Sequence, residues 1–387
     1  MSNITNQKNS KLAKPIGYLL YCLFLAFICY YSFRRPTYNW DMLPYMAVVT
    51  SYDNAKADAH NEVYTLIKKE LHPHDYYQLI DSNIKVKSDA FKHPEEFNVQ
   101  MPFYVIKPLY TGLIYLFHKA GFSLIKSTVM PSVIAFFCIG LLLLYWLERH
   151  VGFGYALLLS VLILLLPPML QVVKLSTPDC LSAFFVMLAV FLLVEKKSIM
   201  LSLLTLVLAI FTRLDNVVFC IMFLPAMGIF NYLPKKVSIP KHAVFILVLL
   251  ASYFTVSLMS RSYGWSMFYY PSFSKHLNAE NNIHKAFALS SYLTLAEKQI
   301  MVHMQATYLP VFIFLAAFSA IKRRVGNWLS IDVYQFLPLF CLIVIAARFV
   351  LQPAISDRFY IPYYLLILVC LVKSYAPLIG ERKLEVA

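Results

Sequence analysis

About ten stretches of the chain are runs of apolar residues, each parted from the next by a short polar or basic break. They begin near Pro15, Met130, Gly154, Cys180, Ser198, Val217, Ala243, Tyr308, Tyr334 and Tyr360. A hydrocarbon core of about 30 Å takes roughly 17–25 helical residues to cross, so the pattern predicts a bundle of about ten membrane helices. An eleventh run, Met101 to His118, is shorter and more broken. Between Ser51 and Gln100 the chain has soluble character, which predicts a solvated helix-turn-helix on the membrane surface.

Basic residues decide how the runs are threaded, because short cytosolic loops carry the excess of Lys and Arg. Lys8, Lys11 and Lys14 place the N-terminus in the cytosol. If 101–118 crosses the membrane, the clusters Lys196-Lys197, Lys235-Lys236-Lys241 and Lys322-Arg323-Arg324 fall outside. If 101–118 lies along the outer interface, all three fall inside, together with Arg149, Lys373, Arg382 and Lys383. The second threading is the one expected, with both termini cytosolic. It leaves 34–127, 171–179, 212–216, 261–304 and 348–358 facing outward, the first and the fourth of these being large loops. The first apolar run has no A-x-A site after it and reads as a retained helix, not a cleaved leader. The expectation is a single membrane unit over 1–387 with no separate soluble domain.

Composition agrees. Of the 387 residues, 60% are hydrophobic and 14% charged, and the mean hydropathy is +0.64. Soluble domains run at about 45–50% apolar and about 25% charged, so lipid has to solvate part of this surface. The net charge of +14 would suit a nucleic-acid partner, but the basic residues form loop clusters with no aromatic-interleaved face, so no nucleic acid is expected. The seven cysteines lie in or at the ends of apolar runs without a CxxC, as small buried residues do.

The outward segments hold the candidate chemistry. Asp41, between Trp40 and Tyr45, follows the first run closely. Held near headgroup depth it would be partly desolvated, which raises a carboxyl toward useful basicity; as an ordinary loop aspartate it would do nothing special. His72-Pro73-His74-Asp75 lacks a standard metal-ligand spacing. Lys107 precedes Pro108-Leu109-Tyr110, where it could meet a lipid phosphate or merely snorkel. In Lys174-Leu-Ser-Thr-Pro178-Asp179, Ser176 or Thr177 can cap a helix that begins with Pro178 and Asp179; Asp179 as a second active-site acid is the other reading. Arg213 and Asp215 are close enough to pair. Arg348 and Arg358, the latter beside Asp357, flank the last outward loop, and arginine suits bidentate phosphate contacts. No Walker loop, GxSxG, HExxH or haem motif occurs.

The order of these motifs resembles the GT-C superfamily of membrane glycosyltransferases, which includes protein O-mannosyltransferases and lipid A aminoarabinose transferases. The resemblance runs from about Asp41 to Tyr363. It rests on Trp40-Asp41, Lys107-Pro108-Leu109-Tyr110, Met130-Pro131-Ser132 through Gly152, Thr177-Pro178-Asp179 and Arg358-Phe359-Tyr360-Ile361-Pro362. The chain departs from the pattern in having Met42 where many relatives have Glu, and Lys126 where many have Arg. The resemblance implies an inverting transfer of a sugar from a polyprenyl-phosphate donor to a glycan, lipid or protein acceptor. It implies Asp41 as general base and Asp179 as the residue that orients the acceptor or the base. Arg358, Arg348, Lys107 and Lys174 would hold the donor phosphate, with Tyr110, Arg213, Asp215 and Asp357 in support. It implies no cofactor; a divalent metal, used by some relatives, has no support in the sequence. The expected setting is the outer face of a bacterial plasma membrane. A lipid-linked glycan polymerase or flippase, and a non-enzymatic membrane scaffold, are the other functions this pattern admits.

Overall fold

The computed structural model describes residues 2–54, 58–229, 239–260, 288–321 and 332–381. Much of the expected 261–304 loop, and the basic residues Lys235, Lys236, Lys322, Arg323, Arg324, Arg382 and Lys383, lie outside them.

Every element of the described residues is helical. The first is α1 (Ser2–Arg34), followed by α2 (Met42–Asp53), α3 (Ala59–Glu70), α4 (Pro73–Leu79), α5 (Lys85–Lys92), α6 (Pro94–Asn98), α7 (Pro102–Val105) and α8 (Pro108–Lys119). Then come α9 (Leu124–Val151), α10 (Phe153–Leu164), α11 (Pro167–Val172), α12 (Asp179–Val194), α13 (Ile199–Thr212) and α14 (Val217–Ile229), with a 3-10 turn at Leu214–Asn216. The chain closes with α15 (Ile239–Met259), α16 (Leu289–Lys298), α17 (Leu309–Ile321), α18 (Val333–Leu351) and α19 (Asp357–Glu381).

Each predicted apolar run lies on a helix. Five helical stretches are long and apolar enough to cross a membrane: Lys14–Arg34, Leu124–Val151, Lys241–Met259, Val333–Leu351 and Asp357–Ala376. This is the architecture of a multi-pass helical membrane protein. The other five apolar helices are shorter within the described residues. Pro167-Pro168 cuts α10 from α11. Charged residues mark one end of each of α12, α13 and α14: Asp179 opens α12, and Arg213 and Asp215 lie between α13 and α14. At a rise of 1.5 Å per residue, the 16 residues of α12 and the 14 of α13 span about 24 and about 21 Å. Both fall short of a ~30 Å core.

The central helix is α9, 28 residues long. Ser123 caps its start by accepting from the Lys126 amide at 3.4 Å. Gly152 ends it at φ +77°, a left-handed conformation that a side chain would strain. Gly140, inside α9, lets α1 approach: a Cβ there would lie 2.5 Å from Leu25, and Tyr21 donates to the Gly140 carbonyl at 2.9 Å.

The 101–118 run is not one helix. Pro108 breaks it, leaving α8 with 12 residues, about 18 Å against a ~30 Å core. α8 packs on α2 and α9 through Tyr110, Thr111 and Ile114. The segment after Ser51 is more structured than a solvated helix-turn-helix. α3 to α6 close over a small core of Val63, Tyr64, Ile67, Leu79, Ala90 and Phe97. Within it, His72 caps α4 by accepting from the His74 amide. No group of three or more His, Cys, Asp or Glu able to hold a metal occurs among the described residues.

The end of the bundle where α1 starts carries one polar cluster. Lys14 and Tyr18 both reach Glu148 on α9. Glu195, just past α12, accepts from Arg149 at 2.7 Å and from Tyr334, and His150 lies 3.2 Å away. Trp146 donates to the Tyr334 hydroxyl at 3.0 Å. The opposite end holds the candidate site.

Candidate functional site

Three polar segments converge there, and α9 is their common support. Thr37, after α1, pairs its amide with the Lys174 carbonyl at 3.0 Å. The Ser132 hydroxyl on α9 donates to the carbonyls of Leu175 and Thr177 at 2.9 and 3.0 Å, and the Thr128 hydroxyl donates to Ser176 at 2.9 Å. This stitching fixes where α12 begins and where Asp179 points. The Leu214–Asn216 turn is held by the Asn216 amide, which donates to Ser182 at 2.8 Å and to the Ala209 carbonyl at 2.7 Å.

The two hydroxyls expected to cap α12 do not do so. No side chain caps this helix; Ser176 faces Thr128, and the Thr177 hydroxyl is buried without a hydrogen-bond partner. The stitching to α9 outcompetes the local cap.

A cavity of about 290 Å³ opens at the junction. Its walls include Asp41, Lys107, Asp179, Arg213, Asp215 and Arg358. Its charges form one continuous network. Asp41 accepts from Arg358 at 2.7 Å, from Tyr104 at 2.8 Å and from Asn39 at 3.0 Å. Arg358 Nε lies 3.9 Å from Asp179. Asp179 pairs with Arg213, which makes a bidentate contact with Asp215 at 2.9 and 3.0 Å. Asp215 also pairs with Arg348, which donates to the Phe359 carbonyl at 2.5 Å. All three arginines lie over the Phe359 ring at 4.9 Å. Each carboxylate of the network faces an arginine.

Lys107 is the one cation of the cavity wall with no carboxylate within ion-pair distance among the described residues. Its ammonium rests 4.8 and 5.0 Å from the centres of the Tyr104 and Tyr45 rings. Burial pushes its pKa down to about 7; Arg213 pushes the same way, and Asp41 and Asp215 oppose them.

The expectation of a raised Asp41 pKa is corrected. Burial does push the carboxyl up, but Arg358, Lys107 and the Tyr104 hydroxyl together outweigh it and hold Asp41 below the usual aspartate value. In this arrangement Asp41 is a settled anion.

Other expected residues stand elsewhere. Lys174 is not on the cavity wall; its ammonium lies over the Tyr31 ring at 5.1 Å. Tyr110 is buried behind Tyr45, 4.8 Å between ring centres, and donates to the Thr128 carbonyl at 2.7 Å. Asp357 accepts from the Tyr308 amide and the Tyr364 hydroxyl, each at 2.9 Å, and so ties α17 to α19. Arg348 is at the site but behind Asp215, off the cavity wall. Tyr104, Gln100 and Gln352 reach the cavity without having been singled out in the sequence. Tyr104 lies in the same outward segment as Lys107, which was the available hint.

Comparison of the chain with protein families, curated proteins and solved structures returns no match.

Proposed function

We propose that the chain is a membrane glycosyltransferase of GT-C type. About ten helices cross the bilayer, α8 lies at its outer interface, both termini are cytosolic, and the cavity faces outward from a bacterial plasma membrane. The charge distribution supports this threading: Lys14, Arg149, Lys196 and Lys373 gather at the end opposite the cavity. The observation that carries the function is the 2.7 Å pair between Asp41 and Arg358 at the cavity wall, with Lys107 beside it. These residues come from the start of α2, the turn before α8 and the start of α19.

The chemistry follows from the exchange of partners. A polyprenyl-phosphate sugar brings an anion to Lys107 and Arg358. As Arg358 turns to the phosphate, Asp41 loses its strongest neutralising contact, and its basicity rises in the buried cavity. An acceptor hydroxyl then attacks the anomeric carbon. The bond from that carbon to the phosphate oxygen breaks, its electron pair leaves on the phosphate, and the hydroxyl proton passes to Asp41. The configuration inverts. The fixed cations stabilise the charge that develops on the leaving phosphate. Asp179, Arg213, Asp215 and Arg348 are positioning residues that hold Arg358 and Lys107 to one geometry.

Purified protein in liposomes, given a radiolabelled polyprenyl-phosphate sugar and a membrane extract as acceptor, tests this. Asp41→Asn is expected to abolish transfer while the protein still inserts and elutes as a folded species. Wild-type transfer by that variant would sink the mechanism.

A further inference from the structure

The cavity's polar groups divide into two sets. The first is the ion network, in which every carboxylate already has an arginine. The second is uncharged. The Gln100 side chain is nine-tenths buried, lines the cavity and has no hydrogen-bond partner among the described residues. The Thr177 hydroxyl, in a residue only 1% exposed, also lines the cavity without a partner. The partly exposed Gln352 side chain also lines the wall. A buried hydroxyl is rarely left unused, since it loses its bonds to water on burial, and a side-chain amide facing a cavity is free to bond what enters it. Here two amides and a hydroxyl share a cavity whose remaining wall includes Phe103, Tyr104 and Phe359.

Resting on the transferase reading, we propose that the transferred group is a neutral, hydroxyl-rich sugar, read by Gln100, Thr177 and Gln352 against these aromatic faces. A volume of about 290 Å³ is at the small end of the roughly 300–1,000 Å³ of small-molecule sites, and suits a single ring. The charges exclude the alternatives. A cationic amino sugar would have to draw a carboxylate away from its arginine and leave that arginine buried and unpaired. A uronic acid would compete with the donor phosphate for Lys107, the wall cation that lacks a carboxylate. A neutral ring asks nothing of the ion network and uses the donors and acceptors left over. Each amide offers two donors and one acceptor oxygen, which matches the mixed demands of neighbouring hydroxyls.

The test separates sugar recognition from turnover. Binding of a short-chain polyprenyl phosphate, bare and loaded with glucose or mannose, is measured on the purified protein by native mass spectrometry. The hexose-loaded lipid is expected to bind at least about tenfold tighter than the bare lipid, a preference that Gln100→Leu and Thr177→Val lose. Amino-pentose and glucuronate forms are expected to show no such gain. Gln100→Asn, which keeps the amide, is expected to keep part of the preference and guards against a folding defect in Gln100→Leu. Equal binding of bare and hexose-loaded lipid, a stronger gain for a charged sugar, or an undiminished preference in both variants would overturn the proposal. A hexose preference lost in the variants, without any transfer by the wild type, would leave sugar recognition standing and remove the transferase reading alone.

Discussion

At one end of the bundle Asp41, Asp179 and Asp215 alternate with Arg358, Arg213 and Arg348; at the other, Glu195 gathers Arg149, His150 and Tyr334. Both clusters join helices distant in sequence, and both hold carboxylates largely shielded from solvent. They differ in what is left over. At the Glu195 end Tyr334 accepts from Trp146 while donating to Glu195, and none of these side chains lines the cavity described above. At the Asp41 end a cavity opens; among the described residues its wall has a lysine without a carboxylate and a buried threonine hydroxyl without a partner, beside two glutamines. Burial of charge is common to a fastening and a binding site. Unused hydrogen-bonding capacity facing a void is what tells them apart.

Four measurements bear on that contrast. The largest effect on stability is expected from Arg213→Met, whose guanidinium serves both Asp179 and Asp215 and is 10% exposed. Removing it strands buried charge, at about 3–5 kcal/mol, read as a lowered unfolding midpoint in detergent. A change under about 1 kcal/mol would mean that water reaches the network freely.

Next is the pH dependence of Lys107. Its pKa falls from 10.5 in the unfolded chain to about 7 in the fold, so the folded state holds its proton less tightly. Stability therefore rises with pH between about 7 and 10.5, and the cost is fully present below 7. The thermal midpoint of the wild type relative to Lys107→Met should climb across that window and stay level below it. A level difference throughout would show that the ammonium is well solvated. The same titration weakens anion binding above about pH 7, unless the bound phosphate itself restores the proton.

A smaller effect is expected at the fastening end. Tyr334→Phe removes a donor from Glu195 and an acceptor from Trp146, at about 1–3 kcal/mol, with transfer activity unchanged. Loss of activity without loss of stability would mean that the two ends communicate. The smallest is Arg149→Ala. Its side chain is 39% exposed, and such pairs contribute about 0–1 kcal/mol.

How much of this was legible in the chain depends on the kind of residue. Arg213 and Asp215 are two positions apart, and their pairing follows from adjacency. Asp41 and Arg358 are 317 positions apart, yet loop charges and a non-crossing 101–118 segment assign them to one membrane level. Level is not direction around the bundle, which is why Lys174 was expected at the site and instead rests on Tyr31. The basicity expected of Asp41 failed for a related reason: desolvation can be argued from position, but Arg358, Lys107 and Tyr104, which offset it, lie far from it along the chain. Gln100 and Gln352 were invisible, because an uncharged amide in a polar loop carries no mark until its surroundings are known.

The brevity of α12 and α13 has one more implication, for the membrane itself. On the proposed threading, helices some 6–9 Å shorter than a ~30 Å hydrocarbon layer do not match it, and the mismatch is met by thinning the lipid around them or by letting water in at one end. A lipid headgroup could then reach the charged residues without being pulled far below its neighbours. Acyl chain length in the host bilayer becomes a variable of the protein: longer chains raise the energy of the thinned annulus, and shorter ones relieve it.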